Sequence, residues 1–353
     1  MTTLQPYHVF NATRHCWVEE PYMENVRQPG AITKIAIYSW VMNSKLPEKR
    51  ARVSAALDHL RDMIANAQNG ESMTAPVIFL QECSFPAALQ EVCNNRWVRD
   101  RFNIAGMNST STARTYCGIV MLLDRRLTIT SCFRRHLHES HPDDNRSALF
   151  VELALGSDEN KKRVCLCNTQ LNPYSHMYRQ PQASRIIRSL GSNDDEDIAL
   201  LAGDLKATLP EDSRLYGDRG FKDAFLEHGG VEGSEEGHTW GKQNSVRFGE
   251  VDSVRVSRIY FRGPAKLLEF SRFGEDVQLP EGPPGSDMSQ RRVMLMRLGY
   301  EKPWITDCFG VMATFEIISQ RGSLPPNTAA SSLREGGREA VGGRPFMRRS
   351  WSW

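Results

Sequence analysis

The chain has 353 residues, 40% of them hydrophobic, enough to bury the core of one large domain or two modest ones. Its 44 basic and 42 acidic side chains leave a formal net charge of +2, so bulk charge argues neither for nor against a polyanionic partner and any basic patch must be local. No apolar run approaches the ~20 residues a membrane span needs, and the opening MTTLQPYHVFNATRH lacks the basic-then-apolar layout of a secretion signal; an intracellular protein of cytoplasm or nucleus, without a membrane partner, is expected.

In chain order, KIAIYSWV (34–41) and PVIFLQ (76–81) read as strands apolar enough to be buried on both faces, with PEKRARVSAALDHLRDMIANA between them spaced as an amphipathic helix. YCGIVMLL (116–123), ALFVELAL (148–155) and RVCLCNTQL (163–171) follow as strand after strand with no helix intervening, then QPQASRIIRSL as a helix and IALLAG (198–203) as another strand. This mixture predicts an α/β sandwich: two sheets packed face to face with helices outside, built as one domain. We expect a lead-in segment over 1–32, the domain over 33–319, and a disordered, mildly basic tail over 320–353, where Gly, Pro, Ser and Arg replace any periodic apolar face. The eight cysteines include no CxxC pair, only Cys165 and Cys167 on one face of a strand, and read as free thiols.

Candidate chemistry lies where strands end. FLQECSF puts Glu82 just beyond a buried strand, LLAGDLKATLPED does the same with Asp204, and WITDCFG sets Asp307 before the run Phe309 to Ile317. Three carboxylates at strand ends would suit a divalent cation if those ends converge; taken singly, each is an ordinary turn former or solvated cap.

The neighbours of these residues resemble the endonuclease/exonuclease/phosphatase superfamily of metal-dependent phosphodiesterases, in the branch around the second tyrosyl-DNA phosphodiesterase and the fungal proteins similar to it. LQEC is similar to the family's LQE metal-ligand motif, CNTQL to NTHL, AGDLKA to GDxNA and TDCFG to SDHxG, and the longer GFKDAFLEHGGVEGSEEGHTWGKQ carries the branch assignment. The resemblance spans about residues 33 to 318. It implies a four-layered sandwich of two mixed β-sheets flanked by helices, Glu82 and Asp204 as metal ligands, and hydrolysis of a phosphate ester with Mg2+. It further implies catalytic positions at Asp204, Lys206, Gln170, Asp307 and Cys308, and substrate-binding positions at Tyr116, Arg146, Asn168 and Trp240.

Several of these positions depart from the family pattern. In the first strand the family's TWN or TYN asparagine is Val41, an alkyl group that cannot coordinate, with Asn43 two residues later. The NTHL histidine is Gln170, a donor without charge; the GDxNA asparagine is Lys206, which could bind phosphate directly or take the metal's place by pairing with carboxylates. RMDKV reads RVSRI, with Ser257 for the acid and Arg258 for the lysine, and the SDH histidine is Cys308, which cannot carry an imidazolium charge. A nucleophilic Cys308 is disfavoured because Asp307 beside it raises the thiol pKa. Tyr116 and Trp240 also have plain packing roles open to them, although Trp240 could stack on a base or an aromatic leaving group.

Three readings follow. The first is an eroded phosphodiesterase site without the ancestral hydrolase activity, with weak or absent Mg2+ binding. The second is an active Mg2+ phosphodiesterase on a nucleic-acid or tyrosyl-phosphodiester substrate. The third is a fold recruited to different chemistry on a small metabolite. A phosphate-containing ligand, a nucleic acid or a small metabolite is the corresponding partner.

Overall fold

The computed structural model describes residues 2–20, 32–67, 73–83, 86–107, 118–137, 146–156, 162–191, 197–245 and 252–318. Tyr116 and the expected tail over 320–353 lie outside them.

Alternation along the central strands builds the layers. In β4 (Lys34–Val41), Ile35 and Ile37 point one way and Ala36, Tyr38 and Trp40 the other. The first pair joins an inner core with Val77 and Phe79 of β5 (Thr74–Gln81), Val151 and Leu153 of β9 (Ser147–Leu155), Val164 and Leu166 of β10 (Lys162–Gln170), and Ile198 and Leu200 of β11 (Ile198–Asp204). The second set packs outward against Val53, Leu57, Leu60 and Ile64 of α1 (Lys49–Ala67). On the far side, Phe150, Cys165, Cys167 and Leu201 meet Ala183, Ile186 and Ile187 of α4 (His176–Ser189). The result is helix, sheet, sheet, helix. Strands buried on both faces are continuous apolar runs for this reason.

The remaining strands are β1 (Thr2–Leu4), β2 (Tyr7–Asn11), β3 (Cys16–Glu20), β6 (Phe102–Ala105), β7 (Val120–Asp124), β8 (Thr128–His136), β12 (Lys222–Asp223), β13 (Ser257–Arg262), β14 (Ala265–Phe273) and β15 (Gly310–Ile317). One sheet runs β1-β8-β9-β10-β11-β13-β12, the other β14-β15-β4-β5-β7-β6-β2-β3. Both are mixed: β4 is parallel to β5 and β10 to β11, whereas β9 to β10 and β4 to β15 are antiparallel. The N-terminal residues thus contribute strands to both sheets, β1 beside β8 and β2 beside β6.

Two boundaries differ from the sequence reading by more than two residues. The run expected from 116 enters its strand only at Val120, because Gly118 adopts φ +58° and breaks the extended chain. The helix expected from Gln180 begins at His176, capped by the Ser175 hydroxyl accepting from the Met177 amide, and carries Pro181 inside it. The first turn buries only Arg179, so no apolar spacing marks it in the sequence. Cys16, Cys83, Cys93, Cys132, Cys165, Cys167 and Cys308 are free thiols. No helix among the described residues is long and apolar enough to cross a membrane.

Candidate active site

Two parallel strand pairs end flush, and that sets the site. Val41 is in register with Gln81 on β4 and β5, and Gln170 with Asp204 on β10 and β11, so the carboxyl ends of all four strands open on one edge of the sandwich. Beneath the edge, Asn168 is fully buried and sews the sheets together: its Oδ1 accepts from Gln81 Nε2 at 2.8 Å, and its Nδ2 donates to the carbonyls of Leu80 and Val120 at 3.2 and 2.9 Å. Asn168 therefore underpins the cleft from within the core.

Above it, Gln170 spans the sheets. Its Nε2 donates to Glu82 Oε1 at 2.7 Å and to Asp204 Oδ2 at 3.0 Å. The other Glu82 oxygen accepts from the Ser44 amide at 2.7 Å and the Ser44 hydroxyl at 2.9 Å. Lys206 Nζ lies 2.9 Å from Asp204 Oδ2. Burial works to raise the Glu82 pKa, but the Ser44 and Gln170 donors and the Lys206 charge outweigh it and hold the carboxyl below its ordinary value. At Lys206 burial works to lower the pKa, and Asp204 with the other nearby anionic groups reverses that and leaves it raised.

The backbone is bent to make these contacts. Asn43, Glu82 and Lys206 have φ of +43°, +60° and +49°, the left-handed region that costs a non-glycine residue roughly 1–2 kcal/mol. Gly203, with φ +151°, has no such choice: a Cβ there would lie 1.9 Å from the Thr169 carbonyl oxygen, so only glycine lets β11 approach β10 just before Asp204.

The third carboxylate has partners of its own. Asp307 Oδ2 accepts from Trp240 Nε1 at 3.1 Å, and its Oδ1 lies 3.5 Å from the Cys308 thiol, which donates to it. Trp240 thus has its indole N–H committed to Asp307. Cys308 is buried; burial and then the Asp307 charge push its thiol well above the usual value, and Lys206 offsets only part of this. Ser257, opposite Asp204 across β11 and β13, points to the same face as that carboxylate. Both Ser257 Oγ and Asp204 Oδ1 are buried without a hydrogen-bond partner. Arg258 faces the other way, donating to Glu232 and Asp223 and to the Ala207 carbonyl at 2.7 Å, which braces the Lys206 segment from behind. Arg146 is half-buried at the start of β9, where its carbonyl accepts from the Leu137 amide at 2.8 Å.

Two organisers gave no signal in the sequence. Arg52 reads as a solvated charge on α1, yet it is 1% exposed and donates to the carbonyls of Pro47, Met42, Ile305, Asn43 and Leu46 at 2.5–2.9 Å. Thr306 donates its hydroxyl to the Val41 carbonyl at 2.7 Å. With Trp40 Nε1 donating to the Cys308 carbonyl at 2.9 Å, these bonds fasten the 305–308 loop to the end of β4.

A divalent ion does not fit the side chains as they stand. Among the described residues no group of three His, Cys, Asp or Glu side chains could hold one. Glu82 has both oxygens engaged, Asp204 Oδ2 is shared by an amide and an ammonium, and only the buried Asp204 Oδ1 is left over.

No protein-family profile and no curated protein matches the sequence. Solved structures match in fold. D. rerio TDP2 complexed with a single-strand DNA product aligns with a TM-score of 0.57 at 16% identity, over 80% of this chain and 99% of that one. An endonuclease/exonuclease/phosphatase from Bacteroides vulgatus gives 0.56 at 13%, over 81% and 100%, and the catalytic domain of human Nocturnin with bound sulfate 0.52 at 12%, over 81% and 95%. The chain has the endonuclease/exonuclease/phosphatase fold, with TDP2 among the structures similar to it.

Proposed function

We propose that this chain carries an eroded metal-dependent phosphodiesterase site, no longer performs the ancestral hydrolysis, and keeps its cleft as a polar binding pocket. One observation carries the reading: where the resemblance calls for an imidazole, the chain has the Cys308 thiol, buried and pushed well above its usual pKa beside Asp307. A neutral thiol supplies neither a positive charge to a phosphate nor a proton shuttle near pH 7. Gln170, in place of the second histidine, is spent on two carboxylates and has no donor of that nitrogen pointed at a ligand. Losing one preorganised stabilising group commonly costs about 10²- to 10³-fold in rate, so losing several together leaves little turnover.

The test is hydrolysis of a 5'-tyrosyl oligonucleotide and of a simple aryl phosphodiester in Mg2+, with and without chelator, together with binding of single-stranded DNA. No chelator-sensitive product is expected. Chelator-sensitive release of tyrosine or of the aryl alcohol would restore the active Mg2+ phosphodiesterase. A recruited small-molecule site draws support from the unpartnered Asp204 Oδ1 and Ser257 Oγ, which a ligand hydroxyl or amine would satisfy. That reading predicts turnover indifferent to chelation.

A further inference from the structure

We propose that the Lys206 ammonium is the resident cation of this cleft, standing in for a divalent ion, and that the wild-type chain binds Mg2+ or Mn2+ poorly because its own side chain already occupies the cation's place.

The carboxylates come first. Glu82 Oε1 and Asp204 Oδ2 share one donor nitrogen, Gln170 Nε2, at 2.7 and 3.0 Å. Oxygens that share a donor in this way lie within about 6 Å of each other. Asp204 is fully buried and Glu82 is only partly exposed, so their mutual repulsion is weakly screened. A carboxamide eases it with a dipole but brings no charge. Something positive has to stand there, and Lys206 Nζ does, 2.9 Å from the oxygen that Gln170 also holds.

The lysine is delivered to that place by backbone that leaves it little freedom. Leu205, between Asp204 and Lys206, is fully buried, and its amide donates to the Val256 carbonyl at 2.9 Å. Lys206 then turns left-handed, and its own carbonyl accepts from the Thr208 amide at 2.9 Å. The next residue, Ala207, is gripped through its carbonyl by the buried Arg258. A flexible lysine on a loose loop would leave the cleft at small entropic gain; one carried on a pinned left-handed turn is aimed at Asp204 before any ligand arrives.

Competition follows from the oxygens. A divalent ion takes several hard oxygen ligands, at about 2.0–2.1 Å for Mg2+. Every oxygen of the two carboxylates except Asp204 Oδ1 already accepts from the protein, and Val41 offers no side-chain oxygen at the end of β4. To enter, the ion must expel an ammonium that is paired with Asp204 Oδ2 at 2.9 Å. Lys206→Asn removes the competing charge and adds an amide oxygen; Lys206→Met removes the charge alone.

Mn2+ titration by calorimetry, with electron paramagnetic resonance of free Mn2+ as a second readout, tests this on the full chain. We expect wild-type binding weaker than about 1 mM, a gain of at least about tenfold in Lys206→Asn, and a smaller gain in Lys206→Met. Wild-type binding in the low micromolar range, or variants no tighter than wild type, overturns the proposal. Should Lys206→Asn unfold in metal-free buffer, refolding on addition of Mn2+ supports the exchange of one cation for another, and failure to refold overturns it. The inference does not rest on lost hydrolysis: a wild-type chain that holds Mn2+ tightly yet turns nothing over defeats it and leaves the eroded site standing.

Discussion

Replacing Arg52 by methionine keeps most of the apolar stem and deletes every donor, which isolates what the guanidinium does for the cleft. The carbonyls of Pro47, Met42, Ile305, Asn43 and Leu46 would all lose a charged partner in one step. Arg52 touches no carboxylate through these bonds; burial pulls its pKa down to about 10, opposed first by the Asp307 charge, so it is still charged at neutral pH. A hydrogen bond to a charged group contributes about 1.5–3 kcal/mol, but five on one side chain do not add, and some of these carbonyls can rehydrate near the chain surface. We therefore take about 3–5 kcal/mol for the whole substitution. At the usual unfolding entropy per residue, a domain of this length should lose about 4–8 °C in melting temperature by scanning calorimetry. Lysine should rescue only part, because three donors on one nitrogen cannot span five carbonyls held by a planar fork. Hydrogen exchange should speed up at Met42, Leu46 and the 305–308 loop before it does so in α1. A fall below about 1 °C, or loss spread evenly over the sandwich, would refute the idea that this one side chain fastens the 305–308 loop to β4.

Gln170→Ala removes the bridge between Glu82 and Asp204 and should cost about 1–3 kcal/mol in urea unfolding at neutral pH; an unchanged midpoint would show that the carboxylates do not need it. Asp212 is buried, and although burial works to raise its pKa, Arg179, His176 and the Leu209 amide hold it below the usual range. A depressed folded pKa gives stability that is present above about pH 4 and lost as pH falls through the folded value, so Asp212→Asn should be less stable than wild type at pH 7 and converge with it only as pH falls through that lower folded value. A gap that persists into that acid range would mean the loss lies in packing. Iodoacetamide at pH 8 should modify the exposed Cys16 in the native chain and leave Cys308 untouched until unfolding, as read by peptide mass spectrometry; native labelling of Cys308 would overturn its assignment as a buried neutral thiol.

What the sequence discloses of the fold follows from how many faces of a strand are covered. β4, β5, β10 and β11 are covered on both and read as unbroken apolar runs, so their ends, and with them Glu82, Gln170 and Asp204, could be located to within a residue or two. β14, at the edge of its sheet, carries AKLLEFSRF with mostly half-exposed positions and no clean alternation, and β8 mixes TITSC with charged residues; neither announces itself. α7 (Asp287–Arg297) buries only Leu295, so no apolar face could form in its pattern. Within the site, Lys206 was legible because it stands two residues beyond Asp204 at a strand end, where the GDxNA motif has asparagine. Arg52 and Ser44 were not, since a charge on an amphipathic helix and a serine after a strand look like solvated surface until the chain closes around them.

The strain at the cleft has a local explanation, and that bears on what the cleft can do. Glu82 and Lys206 each hold a left-handed backbone costing roughly 1–2 kcal/mol, at the very residues whose side chains make the contacts across the edge of the sandwich. Against that cost stand three hydrogen bonds accepted by Glu82 and an ion pair made by Lys206 in a site where water competes poorly. Strain and contacts offset each other within the protein, with no ligand needed to close the account. A hydrolytic site works in the opposite way, leaving donors and cations unsatisfied until charge develops on the substrate. Here Gln170, Ser44 and Lys206 spend their donors on the chain's own carboxylates. A phosphate entering this cleft would have to break those contacts first, while of the two oxygens without partners Asp204 Oδ1 only accepts and so favours a ligand that brings a donor or positive charge, and the Ser257 hydroxyl both donates and accepts.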